Sequence, residues 1–303
     1  MIKKVDYFGN DKYIIDTGAL HLEAVTLGAA VTSLRFRGRE TVLRYDSAQG
    51  YMDGGAYICA AIGRYANRIG NAAFVLNGKK YTLAANEGKN QLHGGPRSFD
   101  KRRWRAETGD DSVRFTLFSP DGDNGFPGDL TAAVTYSLRG DALRIDFEGE
   151  SGADTVFAPT SHLYFNLDGS DNVLDAQLRI NASRYLEVDR GLIPTGAILP
   201  AEGRFDFRHM RRVAEDYDHC FILDGEDACC VRAGGTELLV RTDFPALQVY
   251  TSSALGAPFG EHRGLALEPE FYPDSPNHPE FPSTTLKKGE KFHRRAEYRF
   301  SEV

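Results

Sequence analysis

The sequence predicts an all-β protein, and three features carry that expectation. Short runs rich in β-branched and aromatic residues recur from end to end. Each run is bounded by Gly, Asn, Asp or Pro, the residues that turns require. Little sequence is then left for helices, and no linker, low-complexity tract or tandem repeat of fixed period breaks the pattern. One domain over residues 1–303, built of two or more packed sheets, is the simplest architecture.

Taken in order, His21 to Phe36 alternates around Gly28 and is expected to lie in a sheet. Ala73 to Leu76 and Lys79 to Leu83 flank Asn77-Gly78, a pair that supplies the two positive φ values of a type I′ turn, so a hairpin is predicted. Ser119 to Leu130 is rich in Asp and Gly but lacks Gly and a terminal Glu where an EF-hand loop needs them, which leaves a surface turn. Leu130 to Leu138 and Ala142 to Glu148 flank Arg139-Gly140-Asp141, while Glu237 to Arg241 and Ala246 to Thr251 flank a turn containing Pro245. Both pairs read as meander elements. Glu290 to Phe300 alternates basic and apolar residues, which ties the second end of the chain into a sheet as well.

With 41% hydrophobic and 26% charged residues among 303, the chain has enough apolar area for a sizeable core. A net charge of −7 and a pI near 5.7 give no support to nucleic-acid binding, which needs clustered positive charge. The N-terminal lysines precede no apolar run, and no window approaches the roughly 18 to 20 apolar residues of a membrane span, so a cytoplasmic protein is expected. Cys59, Cys220, Cys229 and Cys230 match no zinc or redox spacing, and free thiols are expected.

Four segments gather ionisable side chains where the surrounding pattern is apolar, and such groups cost free energy unless they are paired or used. Gly63-Arg64-Tyr65-Ala66-Asn67-Arg68-Ile69 places two arginines four positions apart, as a solvated turn also would. Asn90 to Lys101 contains His93-Gly94-Gly95, where the glycines allow the backbone to approach a ligand closely. The run Lys101 to Arg105 alternates with Trp104 as the solvated face of a strand would. In Ser161 to Leu167, period-2 geometry puts His162, Tyr164 and Asn166 on one face and Leu163, Phe165 and Leu167 on the other. Histidine can give or take a proton near neutral pH, so that row suits either a wet cleft or a polar outer face. Finally, Glu268 follows an apolar run, and Pro269 favours an extended backbone there, which places the carboxylate at a strand end. Asp218-His219 enters a further apolar run.

Together these segments resemble the aldose 1-epimerase, or galactose mutarotase, family. The likeness runs through Gly-Arg-Tyr-Ala-Asn-Arg-Ile at 63 to 69, Leu-His-Gly-Gly at 92 to 95, Ser-Pro-Asp-Gly at 119 to 122 and His-Leu-Tyr-Phe-Asn-Leu at 162 to 167. It continues through Leu-Ile-Pro-Thr-Gly at 192 to 196, Asp-His at 218 to 219, Leu-Glu at 267 to 268 and Pro-Asp-Ser-Pro-Asn at 273 to 277. The resemblance implies a large antiparallel β-sandwich, the galactose mutarotase-like supersandwich, with an open sugar cleft on one sheet. It implies Glu268 as the base that takes the anomeric hydroxyl proton and His162 as the acid that protonates the ring oxygen. Asn67, Arg68, His93 and Asp218 match the positions that hold the other hydroxyls and orient the pair. The implied partner is a small-molecule aldose, with no metal, cofactor, nucleic acid or membrane.

Two departures bear on specificity. Cys220 stands where the family commonly has a polar residue, and Glu270 where it commonly has Gln, a change that sets a second carboxylate near Glu268 and could raise the pKa of one of them. Three rival readings remain. A hexose-6-phosphate mutarotase would need a cationic patch, for which Arg64, Arg97 and Lys101 are candidates. A glycoside hydrolase could pair Glu268 with Asp218 or Glu270. A non-catalytic carbohydrate-binding protein would lack a working acid or base.

Overall fold

A computed structural model describes residues 2–303. The predicted all-β chain is found, organised around three antiparallel sheets. The N-terminal sheet runs Lys3–Tyr7, Asn10–Asp16, Leu20–Val25, Val31–Phe36, Arg39–Glu40 in simple succession. The largest has nine strands in the order Arg105–Thr108, Ser112–Ser119, Leu130–Arg139, Ala142–Ser151, Lys291–Glu302, Thr236–Thr242, Asp227–Ala233, Gln177–Ile180, Arg211–Arg212. A six-stranded sheet has the order Tyr164–Phe165, Leu265–Glu270, Ala246–Tyr250, Asp218–Ile222, Arg184–Val188, Pro194–Pro200. The one α-helix among the described residues is the short Ala48–Asp53, capped by the Ser47 side chain, and none is long and apolar enough to cross a membrane.

Period-2 patterning explains how the layers meet. In Lys291–Glu302 the side chains of Ala296, Tyr298 and Phe300 are buried, while Arg295, Glu297 and Arg299 face outward. Tyr298 packs on Phe165 and lets its hydroxyl reach the Leu267 carbonyl, so the nine-stranded sheet covers the back of the six-stranded one. Phe300 stacks on Phe36 and Phe115 meets Tyr13, which brings the N-terminal sheet against the same inner face. Each such buried side chain contributes about 1.5 to 3 kcal/mol. With its back covered, the six-stranded sheet has its opposite face left for polar side chains.

The hairpin forms as expected: Ala73–Leu76 pairs with Lys79–Thr82, and Asn77 and Gly78 adopt φ of 53° and 75°. One meander does not. Thr236–Thr242 belongs to the nine-stranded sheet and Ala246–Tyr250 to the six-stranded one. Phe244 is buried between Phe147 and Phe271, so the connection through Pro245 is a corner between sheets. The Lys101 to Arg105 run also differs, because Trp104 is buried ahead of the strand that begins at Arg105.

The Ser119 to Leu130 turn has a clear internal logic. Asp121 accepts from the Gly128 amide and Asp129 from the Asp121 amide, closing the loop on itself. Arg64, only 2% exposed, then donates to the carbonyls of Ser119, Pro120 and Pro127 and to the Ser119 and Thr155 hydroxyls. Its charge faces Asp121, Asp123 and Asp129 at longer range, and burial lowers its pKa to about 10, which leaves it cationic at neutral pH.

Candidate active site

The polar face of the six-stranded sheet is set by cross-strand register. Glu268 lies opposite Gln248, and Gln248 lies opposite Cys220, two residues along the strand from Asp218. Glu268 is therefore inside the Leu265–Glu270 strand and not at its end, as the sequence suggested. Pro269 is tolerated because the neighbouring Tyr164–Phe165 strand pairs only with Leu265 and Ala266, and beyond that point the Thr160 hydroxyl donates to the Pro269 carbonyl.

His162 approaches from the other side. The chain around it is two short strands, Thr160–Ser161 and Tyr164–Phe165, with His162 at the break. His162 and Tyr164 stack at 4.6 Å and both line the cleft. Asn166 does not join them: it lies past the end of the Tyr164–Phe165 strand, and its side-chain amide donates to the carbonyls of Ser170 and Arg263. His162 Nε2 stands 3.5 Å from Glu268 Oε1, with the two side chains 5% and 2% exposed.

The third wall joins the loops after residues 62 and 90. The short strands Arg68–Ile69 and Gln91–Leu92 pair, and the Asn67 amide donates to His93 Nδ1 at 3.1 Å while the His93 amide donates to the Asn67 carbonyl. Gly94 and Gly95 serve this junction and not a ligand: a Cβ on Gly94 would lie 2.0 Å from the Gly63 carbonyl oxygen. Arg68 makes a two-pronged pair with Glu87 at 2.8 and 2.9 Å and stands 3.8 Å from Asp218. Asp218 accepts from Gln248 Nε2 at 2.5 Å.

All six residues singled out by the resemblance, Asn67, Arg68, His93, His162, Asp218 and Glu268, line one cleft of about 830 Å³. His219, from the Asp-His pair noted in the sequence, lines it too, as do Gln248 and Tyr57, which were not anticipated. Gln248 carried a usable signal, a polar side chain inside the apolar run Ala246 to Tyr250. Tyr57 carried none; it reaches His93 and His162 with ring separations of 4.6 and 6.2 Å only through the fold.

Burial governs the electrostatics. Desolvation pushes Glu268 well above the usual carboxylate range, helped by the negative charges of Glu270 and Asp218. It pushes His162 down to about 3 and His93 well below the usual imidazole value. Asp218 is raised by desolvation too. The resemblance placed Asp218 among the residues that orient the pair; Asp218 is engaged with Gln248 and Arg68, and the acid facing His162 is Glu268.

His93, His162 and Glu268 could each bring one donor atom within 4.8 Å of the others, the density of a metal site. The His93 tautomer argues against that use. Its Nδ1 accepts from the Asn67 amide, so Nε2 carries the proton and offers a hydrogen-bond donor in place of a ligating lone pair. The trio can hold hydroxyls and exchange protons.

A model of the aldose 1-epimerase family matches residues 11–299. The galactose mutarotase of Homo sapiens is 36% identical over 321 residues, spanning 96% of this chain and 94% of that protein. The aldose 1-epimerase of Escherichia coli strain K12 is 40% identical over 294 residues, 86% of this chain and 85% of that one. Among solved structures, an aldose epimerase homologue from C. elegans matches all of both chains with a TM-score of 0.93 at 29% identity. Galactose 1-epimerase from Lactobacillus acidophilus matches with 0.90 at 27%, covering 100% of this chain and 99% of the other.

Proposed function

The chain belongs to the aldose 1-epimerase family and is an isomerase, a mutarotase that interconverts the α and β anomers of an aldose, and from that premise we propose that His162 and Glu268 move the protons for a neutral hexose, galactose or glucose. Opening a hemiacetal takes a proton from O1 and gives one to O5. Those oxygens share one carbon, so base and acid must stand side by side. His162 Nε2 and Glu268 Oε1, 3.5 Å apart in the cleft wall, meet that need, and this observation carries the proposal.

Glu268 takes the O1 proton as His162 protonates O5. Rotation about C1–C2 in the aldehyde and reclosure with the roles reversed gives the other anomer. Through this cycle the pair always holds one proton, on His162 when the ring is closed and on Glu268 when it is open. Burial favours the neutral arrangement, with the proton on Glu268, and so favours the open-chain stage. His93, Asn67, Arg68 and Asp218 supply donors and acceptors for the remaining hydroxyls.

A phosphorylated sugar is disfavoured by where the cations lie. Arg64 is spent on the Ser119 to Leu130 turn, Lys101 donates to the carbonyls of Tyr51 and Gly54, and Arg97 is not in the cleft wall. Arg68, the one arginine lining the cleft among the described residues, is paired with Glu87. Glycoside hydrolysis is disfavoured because Glu270 is outside the cleft and Asp218 is tied to Gln248. A silent binding protein would not need an acid and a base face to face. The same reading takes residues 1–303 as one domain acting in the cytoplasm, where a reducing environment suits four buried free thiols.

Polarimetry of freshly dissolved α-D-galactose tests the proposal. Wild type should speed the decay of rotation, and Glu268→Gln and His162→Asn should each lose roughly 10² to 10⁴ in rate. Exchange of glucose 6-phosphate as fast as that of galactose would sink the neutral-sugar assignment.

A further inference from the structure

A buried acid beside Glu268 has no part in this chemistry. Glu270 has no solvent exposure, lies two residues beyond Glu268 on the same face of the Leu265–Glu270 strand, and is outside the cleft wall. Asn67 Nδ2 donates to its Oε1 at 3.1 Å, while its Oε2 has no hydrogen-bond partner among the described residues. Its cross-strand neighbour Ala246 belongs to a small apolar cluster with Leu186, Cys220, Ile222, Tyr272 and Phe281. Asn67 in turn holds two cleft groups, through its amide to His93 Nδ1 and through its Oδ1, which accepts from the Arg68 amide.

Given the reading that His162 and Glu268 exchange protons with the sugar, we propose that Glu270 is a positioning residue for that pair: it anchors Asn67 by a hydrogen bond and acts on Glu268 through its charge along one strand face. Same-face neighbours on a strand are about 6.6 Å apart, a range at which one buried carboxylate displaces the ionisation of another by about 1 to 2 pH units. Asn67 donates to Glu270 and to no oxygen of Glu268, so Glu270 ionises first and Glu268 keeps its proton longer. The other charged and titratable groups facing the two acids are few. Asp218 adds negative charge and Arg68 offsets it. Cys220, Tyr65, Tyr164 and Tyr298 are raised by burial and stay neutral, and burial likewise keeps His162 and His93 uncharged when they face no ionised acid.

The charge and the hydrogen bond can be separated. Glu270→Gln keeps an acceptor oxygen for Asn67 and removes the charge. Glu270→Met removes both. The measurement is a ¹³C carboxyl titration of Glu268, whose resonance is assigned by its loss in Glu268→Gln, run beside the pH dependence of galactose anomer exchange. In Glu270→Gln the Glu268 midpoint should fall by about 1 to 2 pH units, and the whole pH window of activity should move toward acid with it, because losing a neighbouring negative charge weakens proton binding by the pair. Glu270→Met should show the same shift and also a rise of about tenfold in KM, since Asn67 then has an unpaired buried donor. An unmoved Glu268 midpoint in Glu270→Gln overturns the role of Glu270 even if wild type is a fast mutarotase. A wild type that fails to speed anomer exchange overturns the proton-exchange reading instead, whatever the titration gives.

Discussion

Arg64 and Arg68 stand four residues apart in one segment, both buried, and work in opposite directions. Arg64 turns its guanidinium away from the cleft onto three carbonyls and two hydroxyls, with no carboxylate in direct contact among the described residues. Arg68 turns toward the cleft, held by Glu87 and facing Asp218. The first group is fully used by the fold. The second has its charge met by Glu87 and Asp218 and still turns N–H donors toward the cleft. Residue type and spacing are the same at both positions, so the difference comes entirely from what the tertiary structure puts beside each side chain.

Substituting the two arginines is the sharpest way to break that contrast. Arg64→Met leaves buried carbonyls unpaired and should lower unfolding stability by about 3 to 5 kcal/mol in denaturant titration, with kcat/KM per folded molecule unchanged. Arg68→Lys loses the two-pronged geometry toward Glu87 and should raise KM for galactose about tenfold while stability stays within about 1 kcal/mol. Equal losses of stability in the two variants would erase the distinction between a scaffold end and a binding end of this segment.

A smaller effect of opposite sign is expected on the cleft side. Glu268 is buried without a full set of partners, and its pKa is raised in the folded state. Above the unfolded value near 4.5 the folded protein holds a proton that the unfolded chain has released. Stability from this group therefore falls as pH rises from about 4.5 until the raised value is passed. Glu268→Gln removes that penalty, so the variant should be more stable than wild type at pH 7 by about 0.5 to 2 kcal/mol and no more stable at pH 4. A lower melting temperature for Glu268→Gln at pH 7 would mean that Glu268 supports the fold as Arg64 does.

The contrast also marks what could be read in the sequence. Local chemistry was legible: the Asn77-Gly78 turn, the alternation of Lys291–Glu302, and the apolar backing of His162 all follow from one side chain and its neighbours. The six cleft residues were legible through family likeness, whose motifs keep each of them in a recognisable setting. Properties that depend on non-local register were not. Phe244 makes a corner where two strands looked like a hairpin, because the buried rings it meets, Phe147 and Phe271, are far away in the chain. Gly94 looked like a ligand-facing glycine because nothing local shows that its backbone presses on Gly63. Nothing in the sequence showed that Gln248 would stand beside Asp218 and hold it.

The smallest expected effect concerns pH, and it separates a pair tuned by burial from one with ordinary values. An unperturbed carboxyl at 4.5 and imidazole at 6.5 would hold one shared proton only between those values, and activity would fall as pH rose through 6.5. Burial reverses the order: the imidazole accepts a second proton only near pH 3, and the carboxyl gives up the last one well above 4.5. The one-proton state therefore persists from His162's lowered value up to Glu268's raised value. On the roles proposed for His162 and Glu268, activity should decline below the first because the pair then carries two protons, and above the second because it carries none. The kcat/KM for galactose exchange, corrected for the uncatalysed rate, should accordingly be flat from about pH 5 to the raised carboxyl, with no limb near 6.5. A limb centred near 6.5 would show that the imidazole titrates as if in water, and the cleft would then not control its proton pair by exclusion of solvent.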